Sequence, residues 1–539
     1  MKSALPLLLL IAFPVVGQAP SPVAIPAIRP NAIASHIRFL ADDLLEGRET
    51  GSRGFELGAR YVAAQLASFG LQPAGDDGSY FQHIRFRSSK IVAPRCSFVM
   101  HDGKRDVTLE AKKDFLLRPG LVSDNEEVTA QLIFAGFGVT APELQHDDYA
   151  SIRAMGKIVV VISGAPSTFA NDQRAYYSGG LVKEQNAAAH GALGIITLRS
   201  NADETRYSFE KIVRQSDMAA MRYLDAAGRP ADTLQQMRAN ASISRSGAKL
   251  LFVRAPMTPE QVLADAEKNV AHSFPLNVSA TIRTVSTFAQ AESENVIATL
   301  PGSSPQDRND YVVVSAHLDH LGDHGSGADR IYNGAYDNAS GIAAMLEIAR
   351  AFASLPEAPR RSMLFVALTG EEKGEQGSEY LASHPPTGGT IVADVNMDMF
   401  LMLFPAKDLV ALGGEHTSLG AVAKEAAESA GLIISPDPFP EEVRFIRSDQ
   451  YSFVKEGVPA ISLKTGSMSA DPSIDGDKVT KEWLRNIYHT PKDDLTQMFD
   501  FATGAKYAQT NFLIAWSAAN AEKRPTWNAG DFFGEKFGR

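Results

Sequence analysis

The sequence predicts an α/β protein: a mostly parallel, mixed sheet with helices on both faces, interrupted by an inserted β-rich α+β module. Three observations predict it. From about residue 288 onward, apolar runs such as "YVVVSAH", "SMLFVAL" and "IVADVNMDMF" alternate with helical stretches such as "NASGIAAMLEIARAFASL". Apolar strands that run continuously, without alternating, belong to a sheet covered on both faces. Between about residues 88 and 287 the texture changes to short β-rich runs around one clear helix, as a small separate module would show. The chain, at 539 residues, is also too long for one core.

Taken in order, residues 1–18 read as a signal peptide. Lys2 is followed by an apolar run from Ala4 to Val16, with small residues near a cleavage point at Gly17 or Ala19. That run is too short to span a bilayer as a mature helix, so a periplasmic or secreted protein is expected. Cys96 is the only cysteine, which rules out an internal disulfide, and none stands where a lipid anchor would need it. No other long apolar run occurs, so no membrane anchor is expected. A formal net charge of -11 argues against a nucleic-acid partner, which calls for a basic surface.

Residues 30–87 carry two helical segments, the second from about Gly54 to Phe69, with "RETGSRG" as the linker between them. In residues 88–287, "CSFVM", "QLIFAGFGV", "KIVVVIS", "LGIITL" and "KLLFV" read as strands and "LVKEQNAAAHGA" as a helix. Residues 288–539 form the main α/β domain, in which "LGAVAKEAAESAGL" is a helix and "PAISLKT" the final strand.

In such sheets ligands bind beyond the carboxyl ends of the strands, and reactive side chains collect there. "YVVVSAH" ends at His317, with Asp319 close enough to engage its other ring nitrogen. Asp337 stands at the edge of the helix that begins near Asn338, where it is either an ordinary N-cap or a carboxylate bridging two cations; Gly334 and Gly341 allow a tight turn around it. "SMLFVALT" runs into Glu371 and Glu372, neighbours whose side chains point in different directions and so are either ordinary solvated charge or two residues dividing two tasks in a site. Asp398 lies in an apolar run, where burying its charge is costly without a partner. His489 follows far downstream in "NIYHTPKDD". Imidazoles and carboxylates without thiolate suit zinc or a similar divalent ion, and this many donors with one possible bridge suit a pair of ions. Neither H-E-x-x-H nor G-x-S-x-G occurs.

The ordered motifs "SAHLDHLG", "GAYDNASG", "LTGEEKGEQGS", "NMDM" and "YHTPKDD" resemble those of the co-catalytic dizinc exopeptidases of the bacterial leucyl aminopeptidase, aminopeptidase Y and glutamate carboxypeptidase family. The match covers roughly residues 290–515, and "FAGFGVTAPELQHDDYASIRAMGKIVVVISG" is similar to the protease-associated domain that some members carry. The resemblance implies a phosphorylase/hydrolase-like zinc-exopeptidase fold, two Zn2+ ions and peptide substrates. It implies that His317 and Asp398 hold one zinc, Glu372 and His489 the other, and that Asp337 bridges them. Asp319 would orient His317, and Glu371 would act as general acid/base. Aminopeptidase activity comes first among the implied reactions, with carboxypeptidase, dipeptidase or glutaminyl cyclase chemistry, or a non-catalytic receptor-like protein, as alternatives. Cyclase chemistry usually goes with one zinc, whereas here a set for two is present.

Two positions depart from the pattern. Phe445 stands where some members have a tyrosine that donates to the substrate carbonyl, and Gln450 where a histidine is common. The oxyanion donor is therefore left open. Met399 and Phe445 are either walls of a side-chain pocket or core residues, and Arg447 meets either a substrate carboxylate or a surface acid. The acidic loop "DPSIDGD" lacks regular calcium-ligand spacing and reads as solvated.

Overall fold

The apolar runs of residues 288–539 form the centre of one mixed sheet. The computed structural model describes residues 26–538, apart from 325, 326 and 387; the signal-peptide reading of residues 1–18 falls outside the described residues. Across this sheet lie, in order, Phe81–Ile91, Ser273–Leu300, Ser362–Leu368, Asp310–His317, Thr390–Asn396, Ala460–Thr465, Asp408–Leu412 and Ile433–Ser435. The run from Ser362–Leu368 to Ala460–Thr465 is parallel throughout, so its strands deliver their carboxyl ends to one edge.

Both faces are covered, as continuous apolar strands require. Val312, Val314 and Ala316 pack into a core shared with the helices Pro30–Leu40, Ser340–Ala353 and Phe501–Asn520. Val313, Leu364 and Val366 face the opposite layer, where Leu381, Phe453 and Phe533 meet them from three shorter helices. The helix Phe501–Asn520 escapes the sequence reading because its buried face includes Thr503, Thr510 and Asn511, which blur its apolar periodicity.

The insert builds a second sheet in which Asn125–Ala135, Ile158–Ile162, Gly194–Leu198 and Ala239–Ile243 run parallel. One strand joins the two sheets: Ser273–Leu300 pairs with Asn125–Ala135 through its first half and with Phe81–Ile91 through its second. The expected divisions at 87/88 and 287/288 therefore fall inside paired strands. The strand Ala220–Tyr223, from within the insert, also pairs with Phe81–Ile91 at the edge of the main sheet. "KLLFV", expected as a strand, instead supplies the end of the helix Arg245–Leu251; Ser244 caps that helix by accepting from Gly247 N, and a cap outweighs a short apolar run. The loop "DPSIDGD" contains Asp475, whose carboxylate caps the helix Gly476–Asn486.

Candidate metal centre

Three strand ends and two loops bring the acids and imidazoles together. His317 is the last residue of its strand, in register with Leu368 of the next, so the Glu371–Glu372 turn emerges beside it. Asp398 follows two residues after Thr390–Asn396. Asp337 sits in a turn ahead of the helix, which begins only at Ser340 with Ala339 as its N-cap. It is not a cap, and its carboxylate is free for another use. Gly334 makes the turn possible: its φ is +59°, and a Cβ there would come within 2.1 Å of Asp337 O and 2.6 Å of the His320 ring. The turn is held by Asp493, which accepts from Tyr336 N and Asp337 N at 2.9 and 3.0 Å. Asn338 ties it to the Asp398 strand end by donating to Met397 O and accepting from Met399 N.

The two oxygens of Asp337 face two different partners. His317 Nε2 lies 3.4 Å from Asp337 Oδ1 and 3.3 Å from Asp398 Oδ1. His489 Nε2 lies 3.2 Å from Asp337 Oδ2 and 3.4 Å from Glu372 Oε1. Zinc takes nitrogen and oxygen ligands at about 2.0–2.2 Å in tetrahedral arrays, which sets neighbouring donors about 3.3 Å apart. All four spacings match that value, so the donor set fits two such ions sharing one carboxylate. The carboxyl group of Glu371 also clusters with His317 and Asp398.

Glu371 and Glu372 are driven in opposite directions. Burial pushes the Glu371 carboxyl well above the usual carboxylate range, and the negative charges of Glu372, Asp398 and Asp449 add to this while His317 opposes it. For Glu372, burial is outweighed by His489 and His320, which hold it well below that range. His489 is raised to about 10: its burial is overcome by Glu372 and Asp337. Adjacent in sequence, the two glutamates occupy different electrostatic environments.

Asp319 engages His317 through its backbone carbonyl rather than its carboxylate. His317 Nδ1 donates to the backbone carbonyl of Asp319 at 3.1 Å, while the nearest carboxylate oxygen is 3.9 Å away. The carboxylate instead accepts from Glu371 N and Glu372 N at 3.2 Å each, and from Thr50 Oγ1 at 3.0 Å. It organises the turn that carries both glutamates. Phe445 is not a pocket wall: its ring is buried in the core with Phe453 and Phe533 and stacks on His416. Gln450 is likewise structural, donating to Phe445 O and accepting from Asn396 Nδ2. Met399 is half-buried against the helix-side core. Arg447 is exposed and forms no ion pair among the described residues; its charge bears on the phenol of Tyr488.

Several neighbours escaped the sequence reading. His320 is fully buried, with Nδ1 2.8 Å from Glu372 Oε1. Tyr488 packs on the His489 ring with centroids 3.8 Å apart, and Asp337, Glu372 and Glu371 all bear on its phenol. Burial, then those charges, raise its pKa well above the usual value, so the hydroxyl keeps its proton. Arg48 lies in "RETGSRG", which is no passive linker. Its buried guanidinium donates to the carbonyls of Leu318, Asn333, Gly334 and Leu40, tying the His317 and Asp337 loops together. From the insert, Arg222 Nη1 donates to Lys373 O at 2.9 Å and Tyr223 N to Gln376 Oε1 at 3.0 Å, bracing the glutamate turn from outside.

Imidazole and carboxylate donors thus stand at the carboxyl ends of a parallel-centred sheet, with spacings that fit two tetrahedral ions. Residues 295–513 match the model of peptidase family M28. A probable zinc metalloprotease of Pyrenophora tritici-repentis is 29% identical over 258 residues, covering 43% of this chain and 58% of that relative. Aminopeptidase YwaD of Bacillus subtilis is 24% identical over 358 residues, 65% of this chain and 68% of that protein. The chain spans 50–58% of the length of the first curated relatives it matches. The solved aminopeptidase from Aneurinibacillus sp. strain AM-1 shares the fold with a TM-score of 0.53 at 20% identity, over 92% of this chain and 95% of that one.

Proposed function

We propose that this protein is an exported dizinc aminopeptidase that removes N-terminal residues from peptides. The observation that carries the reading is Asp337, whose two oxygens each face a separate imidazole–carboxylate pair. His317 and Asp398 would hold one zinc, His489 and Glu372 the other. Bound zinc would supply Lewis-acid polarisation of the scissile carbonyl and a lowered pKa for the attacking water.

The remaining steps belong to the chain's own groups. Glu371, beside His317 and Asp398, takes the proton of the attacking water and delivers it to the leaving amine. Its raised pKa suits a group that must hold a proton between the two steps. The Tyr488 hydroxyl, which has no hydrogen-bond acceptor among the described residues, is placed to donate to the carbonyl oxygen as charge develops there. It supplies the donor that Phe445 lacks. Removal from the N-terminal end rests on the likeness to Aminopeptidase YwaD of Bacillus subtilis. Export rests on the N-terminal sequence alone; among the described residues no helix is long and apolar enough to cross a membrane.

The exposed, unpaired Arg447 near Tyr488 favours one second reading, a carboxypeptidase that grips the substrate carboxylate. Digestion of peptides blocked at one end or the other, followed by mass spectrometry, separates the two. Cleavage that needs a free N-terminus and stops with chelator supports the aminopeptidase; cleavage of N-blocked peptides from the other end overturns it.

A further inference from the structure

Among the described residues, Lys464 is the one cation built into the donor set of the first metal position. It is the penultimate residue of the buried strand Ala460–Thr465 and is 9% exposed. Burying an ammonium is costly unless it is paired, and among the described residues its single ion-pair partner is Asp398. Lys464 Nζ donates to Asp398 Oδ2 at 2.9 Å and also to the Asp398 backbone carbonyl. The two oxygens of Asp398 are thereby divided: Oδ2 belongs to the lysine, and Oδ1 faces His317 Nε2 at 3.3 Å. At the other position, Glu372 has no lysine or arginine partner among the described residues; its neighbours are the imidazoles of His320 and His489.

We propose that Lys464 is a positioning residue that makes the zinc position at His317 and Asp398 the more weakly held of the two. It does so by restricting Asp398 to one ligating oxygen and by setting a fixed positive charge against that ligand. This inference rests on the dizinc reading above. Partners around a metal site usually raise the basicity of a ligand, and their loss weakens metal binding 10- to 100-fold. A lysine has the opposite effect, since it draws charge from the carboxylate and repels the cation, so its removal should tighten binding. A zinc whose carboxylate ligand is partly neutralised by a lysine would also be the stronger Lewis acid, which suits the position beside Glu371.

The test uses the full chain loaded with zinc, equilibrated against graded chelator, with zinc per chain measured by mass spectrometry. The wild type should lose its two ions in two steps at least tenfold apart, and Asp398→Asn should abolish the weaker one. Lys464→Met should move the weaker step tenfold or more toward tighter binding and leave the other in place. Lys464→Gln, which keeps a hydrogen-bond donor without the charge, should do the same, and Lys464→Arg should preserve the wild-type pattern. Loss of both ions in one step, or a weaker step that stays or weakens further in both neutral variants, overturns the role of Lys464 alone. A wild-type protein that binds fewer than two zinc ions overturns the dizinc reading itself.

Discussion

The insert and the main sheet are built alike and end differently. Each has a core of parallel apolar strands, several of whose carboxyl ends lead into helices. In the insert the polar groups at those ends are consumed locally. Ser200 and Ser244 cap the helices that follow their strands, and the Ser163 hydroxyl donates to Asp203. In the main sheet the oxygens of Asp337, Glu372 and Asp398 are aimed at imidazoles from other segments. The same architecture thus makes a site only where the strand-end groups are left free by the local backbone. Asp337 shows this most directly, because it stands one turn from a helix start and does not cap it.

The largest effect should follow from removing the free carboxyl that is not a zinc ligand. Glu371→Gln is expected to lower kcat by about 10²- to 10⁴-fold, the usual worth of a general acid/base, with both zinc ions retained. Glu372→Gln should instead lose zinc. Equal zinc content and equal turnover in the two variants would collapse the division between them, and with it the contrast drawn above. Next in size is Tyr488→Phe, which deletes one donor to the developing oxyanion. A loss of about 10²-fold in kcat with little change in KM is expected; an unchanged kcat would return the search to another donor.

The charged residues of the centre were legible because they break apolar strands. His317, Asp398 and the Glu371–Glu372 pair stand where a purely structural sequence would put a cap or a turn, and the parallel-sheet rule says such ends converge. Asp319 was legible as part of the group but not in its role, since nothing in "HLDH" distinguishes a carboxylate that meets an imidazole from a backbone carbonyl that does. Arg48 was invisible because its work is done on the carbonyls of loops that only the fold brings together, from residue 40 to residue 334. Phe445 was left open between pocket and core because a phenylalanine serves either; the ring of Phe533, from the last described helix, decides it.

A third change probes whether the two regions are independent. Arg222 reaches from the insert to Lys373 O, inside the glutamate turn, so the insert braces the catalytic loop as well as joining its sheet. Arg222→Ala should keep both zinc ions and lower kcat about tenfold, since a small displacement of a positioned group is costly in rate. Unaltered kcat would show that Asp319 alone holds the turn and that the insert is a bystander to the chemistry.

The smallest effect on turnover, none, is expected from the buried lysine of the insert. Lys183 is 3% exposed and donates to Phe137 O; burial lowers its pKa to about 7, against the opposing pull of Asp148 and Asp203. Unlike Lys464, it faces no carboxylate within ion-pair distance among the described residues. In the unfolded chain a lysine titrates near pH 10.4. Between about pH 7 and 10 the unfolded state therefore carries a proton that the folded state has released, and stability rises with pH by up to about 1.4 kcal/mol per unit. Below about pH 7 both states are protonated and that contribution is gone. Lys183→Met removes the proton and leaves the Phe137 carbonyl without this donor, at a cost of about 1 kcal/mol. Urea unfolding at pH 7 and pH 9.5 should show the wild-type midpoint gaining on the variant as pH rises, with peptidase activity equal in both at pH 7. A constant difference between the two midpoints would mean that Lys183 stays charged in the fold, and that the insert too holds a compensated cation.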